Sequence, residues 1–248
     1  PYGNIFSDDE NELPPDCAQI APFARFNYYK EAVKRLKAIA FKIRTNMGGK
    51  KSDYRIFCNS EINEKDLAIL SGLGFYGKNS LIITKKAGSL VVLAALKLPF
   101  KTENCICNSK ENPPEAKIHP CEKCSMTPCV AACPTGAVLG NGKIELSLCI
   151  QWYASGNGDI VPPKVRNAWG KRLYGCTNCQ DACPHNKKTI AGIETTEGKI
   201  GAFVNVKKLL SLNDTEIKSL FKGTAMGLSW LTPDTIRRSA KLVLDGEQ

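Results

Sequence analysis

The sequence predicts an α+β or α/β fold in which an N-terminal α/β region is followed by a compact cysteine-rich module and a helical C-terminal segment. Three observations predict it. Helical and β-like patterns alternate through the first hundred residues. Seven closely spaced cysteines, with an eighth between them, fall between Cys121 and Cys183. Apolar residues return at helical spacing from about residue 203. The corresponding segments are 1–104, 105–190 and 191–248.

Residues 1–20, with Asp8-Asp9-Glu10 and Pro14-Pro15, read as a loop. From Tyr28 to about Arg44 the pattern is helical, with Val33, Leu36, Ile39, Ala40 and Ile43 on one face and Gly48-Gly49 ending it. Tyr54 to Phe57 is short and β-like. Asn63 is placed to cap a helix from about Glu64 to Ser71, which Gly72-Leu73-Gly74 ends. Ser80 to Ile83 and Ser89 to Leu96 read as two strands joined by a turn at Lys85-Lys86-Ala87-Gly88. Residues 100–120 are polar, carry Pro113-Pro114 and read as a linker. The tail reads as helical around Leu209, Ile217 and Leu220 and again from Ile236 to Leu244.

The cysteines carry the chemistry. The first run is Cys121-x2-Cys124-x4-Cys129-x3-Cys133-Pro134, the second is Cys176-x2-Cys179-x3-Cys183-Pro184, and Cys149 lies between them. Runs closed by Cys-Pro are the mark of two bacterial-type [4Fe–4S] clusters, in which the last cysteine of one run ligates the other cluster. Proline disfavours the helical region for the residue before it, which holds Cys133 and Cys183 extended and away from their own runs. The crossing rule assigns Cys121, Cys124, Cys129 and Cys183 to one cluster, and Cys133, Cys149, Cys176 and Cys179 to the other. Zinc also takes paired C-x2-C motifs, but its sites rarely continue to a third and fourth cysteine ending in Cys-Pro. A disulfide framework suits short chains in oxidising compartments.

At 248 residues with 43% apolar content, the chain can bury a substantial core. No apolar run reaches the ~18 residues of a membrane span. The run from Leu90 to Leu98 is too short for one and reads as a buried strand. The formal net charge is +10, and two assembled clusters with eight thiolates would bring it to about +6. A basic surface suits an anionic partner such as nucleic acid, or serves solubility alone. Twelve cysteines with oxygen-sensitive clusters point to the reducing cytoplasm. Because the chain opens on Pro1, it is expected to be a fragment or trimmed at its N-terminus.

With these segments placed, the chain resembles the epoxyqueuosine reductase family, cobalamin-dependent iron–sulfur enzymes that reduce epoxyqueuosine to queuosine in tRNA. The resemblance rests on Ile20-Ala21-Pro22-Phe23-Ala24-Arg25-Phe26-Asn27-Tyr28-Tyr29, on Ser71-Gly72-Leu73-Gly74-Phe75-Tyr76-Gly77-Lys78-Asn79-Ser80-Leu81 and on Ala87-Gly88-Ser89. In the cysteine region it rests on Cys133-Pro134-Thr135-Gly136-Ala137 and Tyr174-Gly175-Cys176-Thr177-Asn178-Cys179-Gln180-Asp181-Ala182-Cys183-Pro184. It spans roughly residues 16–240. It implies a cobalamin-binding α/β domain like that of reductive dehalogenases, followed by a ferredoxin-like module whose two [4Fe–4S] clusters pass electrons to cobalt. It also implies tRNA as substrate, a small electron donor such as flavodoxin or ferredoxin, a monomer, and Lys78, Asn79 and Ser80 as cobalamin contacts. The family's proposed proton donor, an aspartate thirteen residues before the position of Ser71, corresponds here to Cys58. A one-residue gap would place Asn59 there instead. The resemblance further implies that the chain begins inside the family's N-terminal part and stops near the start of its C-terminal helical repeats.

Other residues keep two readings. Cys58 is either a catalytic or cobalt-facing thiol or a buried structural one, since free cysteine is among the most buried residue types. Cys105 and Cys107 are either an extra redox pair or loop residues, and Cys17 carries no signal. Gly72, Gly74 and Gly77 spell G-x-G-x-x-G, but they follow a helix rather than a strand, against a dinucleotide fingerprint. His119 and His185 flank cluster cysteines, where tuning by hydrogen bonds is favoured over ligation. Lys164, Arg166, Lys171, Arg172, Lys187 and Lys188 interleave with Trp152, Tyr153, Trp169 and Tyr174. They suit either RNA phosphates and bases or the screening and packing of the clusters. Two rival functions stay open: a two-cluster electron carrier without corrin, and a corrinoid reductase with another substrate.

Overall fold

The computed structural model describes residues 5–7, 16–101, 121, 123–158, 160–187 and 199–246. Among these the strands are β1 (Phe6–Ser7), β2 (Cys17–Ile20), β3 (Arg55–Phe57), β4 (Gly74–Tyr76), β5 (Ile82–Thr84), β6 (Ala95–Lys97), β7 (Arg172–Tyr174) and β8 (Phe203–Asn205). The helices are α1 (Tyr28–Met47), α2 (Glu64–Leu70), α3 (Pro128–Ala131), α4 (Ile150–Ala154), α5 (Pro163–Asn167), α6 (Asn178–Asp181), α7 (Val206–Leu210), α8 (Asp214–Leu220) and α9 (Pro233–Asp245). The mixed α and β character expected from the sequence is thus observed.

The principal sheet has the order β1-β8-β2-β7. β8 runs antiparallel to both β1 and β2, while β2 and β7 are parallel, with a register shift between Gln19 and Ile20. Residues 17–20 are therefore a strand and not the loop expected from composition. Their pairing partners lie some 150 to 190 positions away, so no local pattern signals them. Likewise Phe203–Asn205 is a strand inside the stretch expected to be helical. Asn205 then turns the chain into α7, its side chain accepting from Lys208 N at 2.9 Å.

One hydrophobic core draws on this sheet and on the helices around it. Ala18, Ile20, Val204 and Leu173 meet Trp169, Leu209, Ile217, Phe221 and Val243, all essentially buried. α9 packs against β7 and α7. It starts at the Thr232 cap, whose side chain accepts from Thr235 N, and Pro233 supplies a preset φ at its first position. α8 begins with a capping box, Asn213 accepting from Glu216 N at 3.0 Å and Glu216 accepting from Asn213 N at 2.8 Å. Arg237 ties α9 to α8 through Asp214 at 2.7 Å.

α1 has a different character. Asn27 caps it, accepting from Lys30 N at 2.9 Å, and Gly48, at φ 79°, closes it. None of its residues is buried. Val33, Leu36, Ala40 and Ile43 are half-buried against β3 and β6, but Ile39, expected on the same face, is 48% exposed.

The expected hairpin between residues 80 and 96 is corrected. β5 pairs backward with β4, and β6 pairs with β3. Glycine at position 74 permits the β4–β5 approach, because a Cβ there would stand 2.5 Å from the carbonyl oxygen of Ile83. The turn does form, with Thr84 and Gly88 exchanging both backbone hydrogen bonds. Beyond it Leu90 N donates back to the Ala87 carbonyl, residues 89–94 form no strand, and the run from Leu90 is half-buried rather than buried. The expected linker at 100–120 and the 104/105 and 190/191 boundaries lie at or outside the edge of the described residues.

Phe221 is 1% exposed and stacks edge-on against Phe6 at 6.2 Å. Phe221→Ala is expected to destabilise the fold by about 3–5 kcal/mol, measured as the shift in a denaturant unfolding transition of anaerobically prepared protein.

Candidate metal centre and adjoining cleft

The two cysteine runs fold alike. Cys129 sits on α3 and Cys179 on α6, two one-turn helices that pack on each other, and each run leaves its helix at a Cys-Pro step, Cys133 or Cys183. Cys149 immediately precedes α4, where Tyr153 N donates to its carbonyl, and Cys176 follows β7 with its N–H donated to Gln151 Oε1 at 3.1 Å. No disulfide joins the ten described cysteines to one another. Among the described residues no three His, Cys, Asp or Glu converge on a single metal-ion position. Cys121, Cys124, Cys129 and Cys183 instead ring a small cavity shared with Lys78, Asn79, Ile83 and His185. Cys133, Cys149, Cys176 and Cys179 form a second neighbourhood, coupled electrostatically.

Burial, then the neighbouring thiols Cys176, Cys133, Cys149 and Cys129, push Cys179 up to about 12. Burial is also the leading cause raising Cys129, Cys176 and Cys183. Cys133 goes the other way. Burial acts upward on it too, but the Thr135 side chain and the backbone N–H groups of Val138, Thr135 and Ala137 outweigh that and lower it. Thiols held protonated by burial and mutual repulsion become good ligands when a cationic core replaces the protons. Donors aimed at one sulfur are also a means of tuning a cluster.

Beside the thiol cavity lies a cleft of about 200 Å³, lined by Tyr29, Asn59, Glu64, Lys65, Leu81, Ile82, Ser89, Val91, Val92 and Leu93. The wall between the two is β5 and the loop before it. Successive strand residues point to opposite faces, so Ile82 faces the cleft and Ile83 the thiols. The loop divides the same way. Lys78 Nζ donates to the Cys124 carbonyl at 3.0 Å, and Asn79 Nδ2 to the Cys179 carbonyl at 3.3 Å. Ser80, at φ 63°, turns the chain so that its carbonyl accepts from Lys65 Nζ at 2.9 Å on the cleft side. Of the three residues read as cobalamin contacts, Lys78 and Asn79 therefore touch the cysteine segments, and Ser80 reaches the cleft through Lys65.

Cys58 does not line the cleft but adjoins its residues Tyr29, Asn59 and Leu93. Its Sγ is within hydrogen-bond reach of the carbonyls of Leu93 at 3.5 Å and Tyr29 at 3.9 Å. Burial, then the charge of Glu64, raises this thiol. Glu64 was missed by sequence reasoning. It opens α2 directly after the Asn63 cap, and that cap was the one signal that could have placed it. Tyr29, also raised by burial, faces the same space, and burial lowers Lys65.

Cys17 is buried on β2, and His185 stacks edge-on against Phe75 at 5.7 Å. Cys105, Cys107, His119 and Lys188 lie outside the described residues. Lys164, Arg166, Lys171 and Lys187 are exposed. Arg172 turns inward, donating to the Trp169 carbonyl at 2.6 Å and to Asn178 Oδ1 at 2.8 Å. Of the interleaved aromatics, Tyr153, Trp169 and Tyr174 are buried in the core and Trp152 is 37% exposed.

The 4Fe-4S double cluster binding domain family matches residues 120–186. Epoxyqueuosine reductase of Aliivibrio fischeri is 32% identical over 215 residues, 85% of this chain and 52% of that protein. A structure of epoxyqueuosine reductase from Bacillus subtilis, with its catalytic loop swung out of the active site, superposes with a TM-score of 0.72. It is 25% identical and covers 98% of this chain and 63% of that one. An epoxyqueuosine reductase solved with an epoxyqueuosine-modified tRNA-Tyr stem loop shares the fold at the same TM-score of 0.72, with 24% identity over 98% of this chain and 63% of that one. The chain spans about half the length of the curated relatives it matches. No helix among the described residues is long and apolar enough to cross a membrane.

Because Cys58 is raised, less of it is thiolate at pH 8.5 than of a free cysteine, whose pKa is about 8.5. Its alkylation by iodoacetamide, mapped by mass spectrometry, is expected to be slower than that of a free thiol and to accelerate only at higher pH.

Proposed function

Because the chain belongs to the epoxyqueuosine reductase family, we propose that it serves the reduction of epoxyqueuosine to queuosine in tRNA, as an oxidoreductase with two [4Fe–4S] clusters. Cys121, Cys124, Cys129 and Cys183 would hold one cluster and Cys133, Cys149, Cys176 and Cys179 the other. The observation that carries this reading is the one-strand wall of β5, with a ring of four thiols on one side and a cleft on the other. An electron leaving the thiol side has a single strand to cross.

The cleft fits part of a cobalamin. Leu81, Ile82, Val91, Val92 and Leu93 offer an apolar face to a macrocycle edge, and Asn59, Lys65 and Tyr29 offer polar groups to its amide side chains. Cobalamin supplies the cobalt chemistry that cleaves a carbon–oxygen bond reductively; the protein positions and shields it. Ser80 sets the position of Lys65 at that face. Lys78 and Asn79 hold the cysteine segments against the wall. Cys58 stands at the family's acid position, and its thiol, kept protonated by burial, serves as proton donor to the departing oxygen. In this reading 1–104 supplies the cofactor-binding cleft, 105–190 the ferredoxin-like module, and 191–248 a segment of one strand and helices packed back on the core, with the principal sheet drawing on all three. The exposed Lys164, Arg166 and Lys187 are available to tRNA phosphates, with Trp152 available for stacking. A small electron donor such as flavodoxin or ferredoxin, a monomeric state and a cytoplasmic location complete the reading.

Anaerobically reconstituted protein incubated with cobalamin is expected to show a bound corrinoid by visible and EPR spectra. Absence of binding would leave a two-cluster electron carrier. If it binds, lack of turnover on epoxyqueuosine-containing tRNA would leave a corrinoid reductase with a different substrate. Cys58→Asp is expected to alter turnover, and unchanged activity would count against the proton-donor role. Cys183→Ala is expected to damage the same EPR signal as Cys121→Ala. Damage to the signal that depends on Cys176 would overturn the crossing assignment.

A further inference from the structure

Ser89 belongs to two sites at once. It lines the cleft, and every hydrogen-bonding group it has is engaged by the cysteine segment a hundred residues away. Its N–H donates to Asn186 Oδ1 at 2.7 Å, and its Oγ accepts from Asn186 Nδ2 at 2.9 Å. Gln180 Nε2 donates to its carbonyl at 2.9 Å and to its Oγ at 3.2 Å. Asn186 Nδ2 also donates to the carbonyl of Gln180 at 2.8 Å, which closes the node. Asn186 is fully buried and Ser89 nearly so. Next to them Gly88, at φ 59°, is so tightly seated that a Cβ would stand 2.0 Å from Asn186 Oδ1.

Gln180 lies between Cys179 and Cys183, and Asn186 lies three residues after Cys183. Segment 179–186 therefore carries one thiol from each cysteine neighbourhood. The run that follows Ser89 supplies Val91, Val92 and Leu93 to the cleft, and the Leu93 carbonyl accepts from Cys58. A buried polar node with its partners satisfied is rigid, and losing one partner leaves the others unpaired.

We propose that Ser89, Gln180 and Asn186 are positioning residues that fasten the cleft wall to the cysteine segment, fixing both clusters relative to the cleft and, because segment 179–186 carries a thiol of each, relative to one another. This rests on the two-cluster reading above. The clamp sets the geometry of the electron path without touching the reacting atoms.

The test uses the full chain, reconstituted anaerobically, as Asn186→Ala and as the milder Ser89→Ala, which keeps both backbone bonds of the node. Iron content, EPR spectra of the dithionite-reduced protein and amide hydrogen exchange at residues 89–93 are compared with the unsubstituted chain. Expected are unchanged iron in Ser89→Ala, exchange at 89–93 at least tenfold faster in Asn186→Ala with a smaller rise in Ser89→Ala, and altered magnetic interaction between the reduced clusters in both. Wild-type exchange and wild-type EPR line shape in Ser89→Ala overturn the proposal, whether or not Asn186→Ala retains its iron. Faster exchange with an unchanged line shape in both variants also overturns it, since that describes a structural anchor alone. Failure of the unsubstituted chain to take up about eight irons would instead sink the cluster reading.

Discussion

The two-residue period of a single short strand governs this molecule. β5 has cavities on both faces, so it cannot follow the usual alternation of apolar inside and polar outside. Ile82 and Ile83 are both almost fully buried, and both must be apolar because each faces an interior. Its edges are equally constrained. β4 pairs on one side through the close approach that Gly74 allows. The chain leaving the Gly88 turn does not pair on the other: the next ladder bonds would join Ile82 to Leu90, whose N–H donates back to the Ala87 carbonyl instead. The two-sided wall and the fastening of cleft to cysteines meet at this strand and the turn that follows it.

This explains what was legible in the sequence. The cysteine runs were legible because ligand spacing is local: C-x2-C and Cys-Pro describe a few residues folding around one point. Cys121, Cys124, Cys129 and Cys183, grouped by that spacing, line one cavity. Helix caps were legible for the same reason, as at Asn63 and Gly48. The central strand β2 was not, because four residues whose partners lie at 172–174 and 203–205 carry no period long enough to read. Residues 89–94 misled because an apolar run beside a turn resembles a strand, although the ladder stops at the Thr84–Gly88 pair.

The aromatic and basic residues near the second run show a different limit. Composition could not say which way they point. Trp169 donates its indole N–H to the Arg172 carbonyl at 2.6 Å, and Arg172 returns hydrogen bonds to that turn. A stretch that looks like a nucleic-acid surface is thus partly a support for β7 and for the Asn178 side chain beside Cys176.

The order of the principal sheet bears on how the protein is made. β2, at residues 17–20, has no partner until 172–174 has been synthesised, and the sheet is not closed until 203–205 follows. Synthesis proceeds at about 5–20 residues per second, so every cysteine from Cys121 to Cys183 is made before the principal sheet and the hydrophobic core around it can close. For several seconds the nascent chain offers unshielded thiols. A thiol is open to oxidation for as long as it stays exposed, so the order of synthesis leaves this segment dependent on the redox state around it.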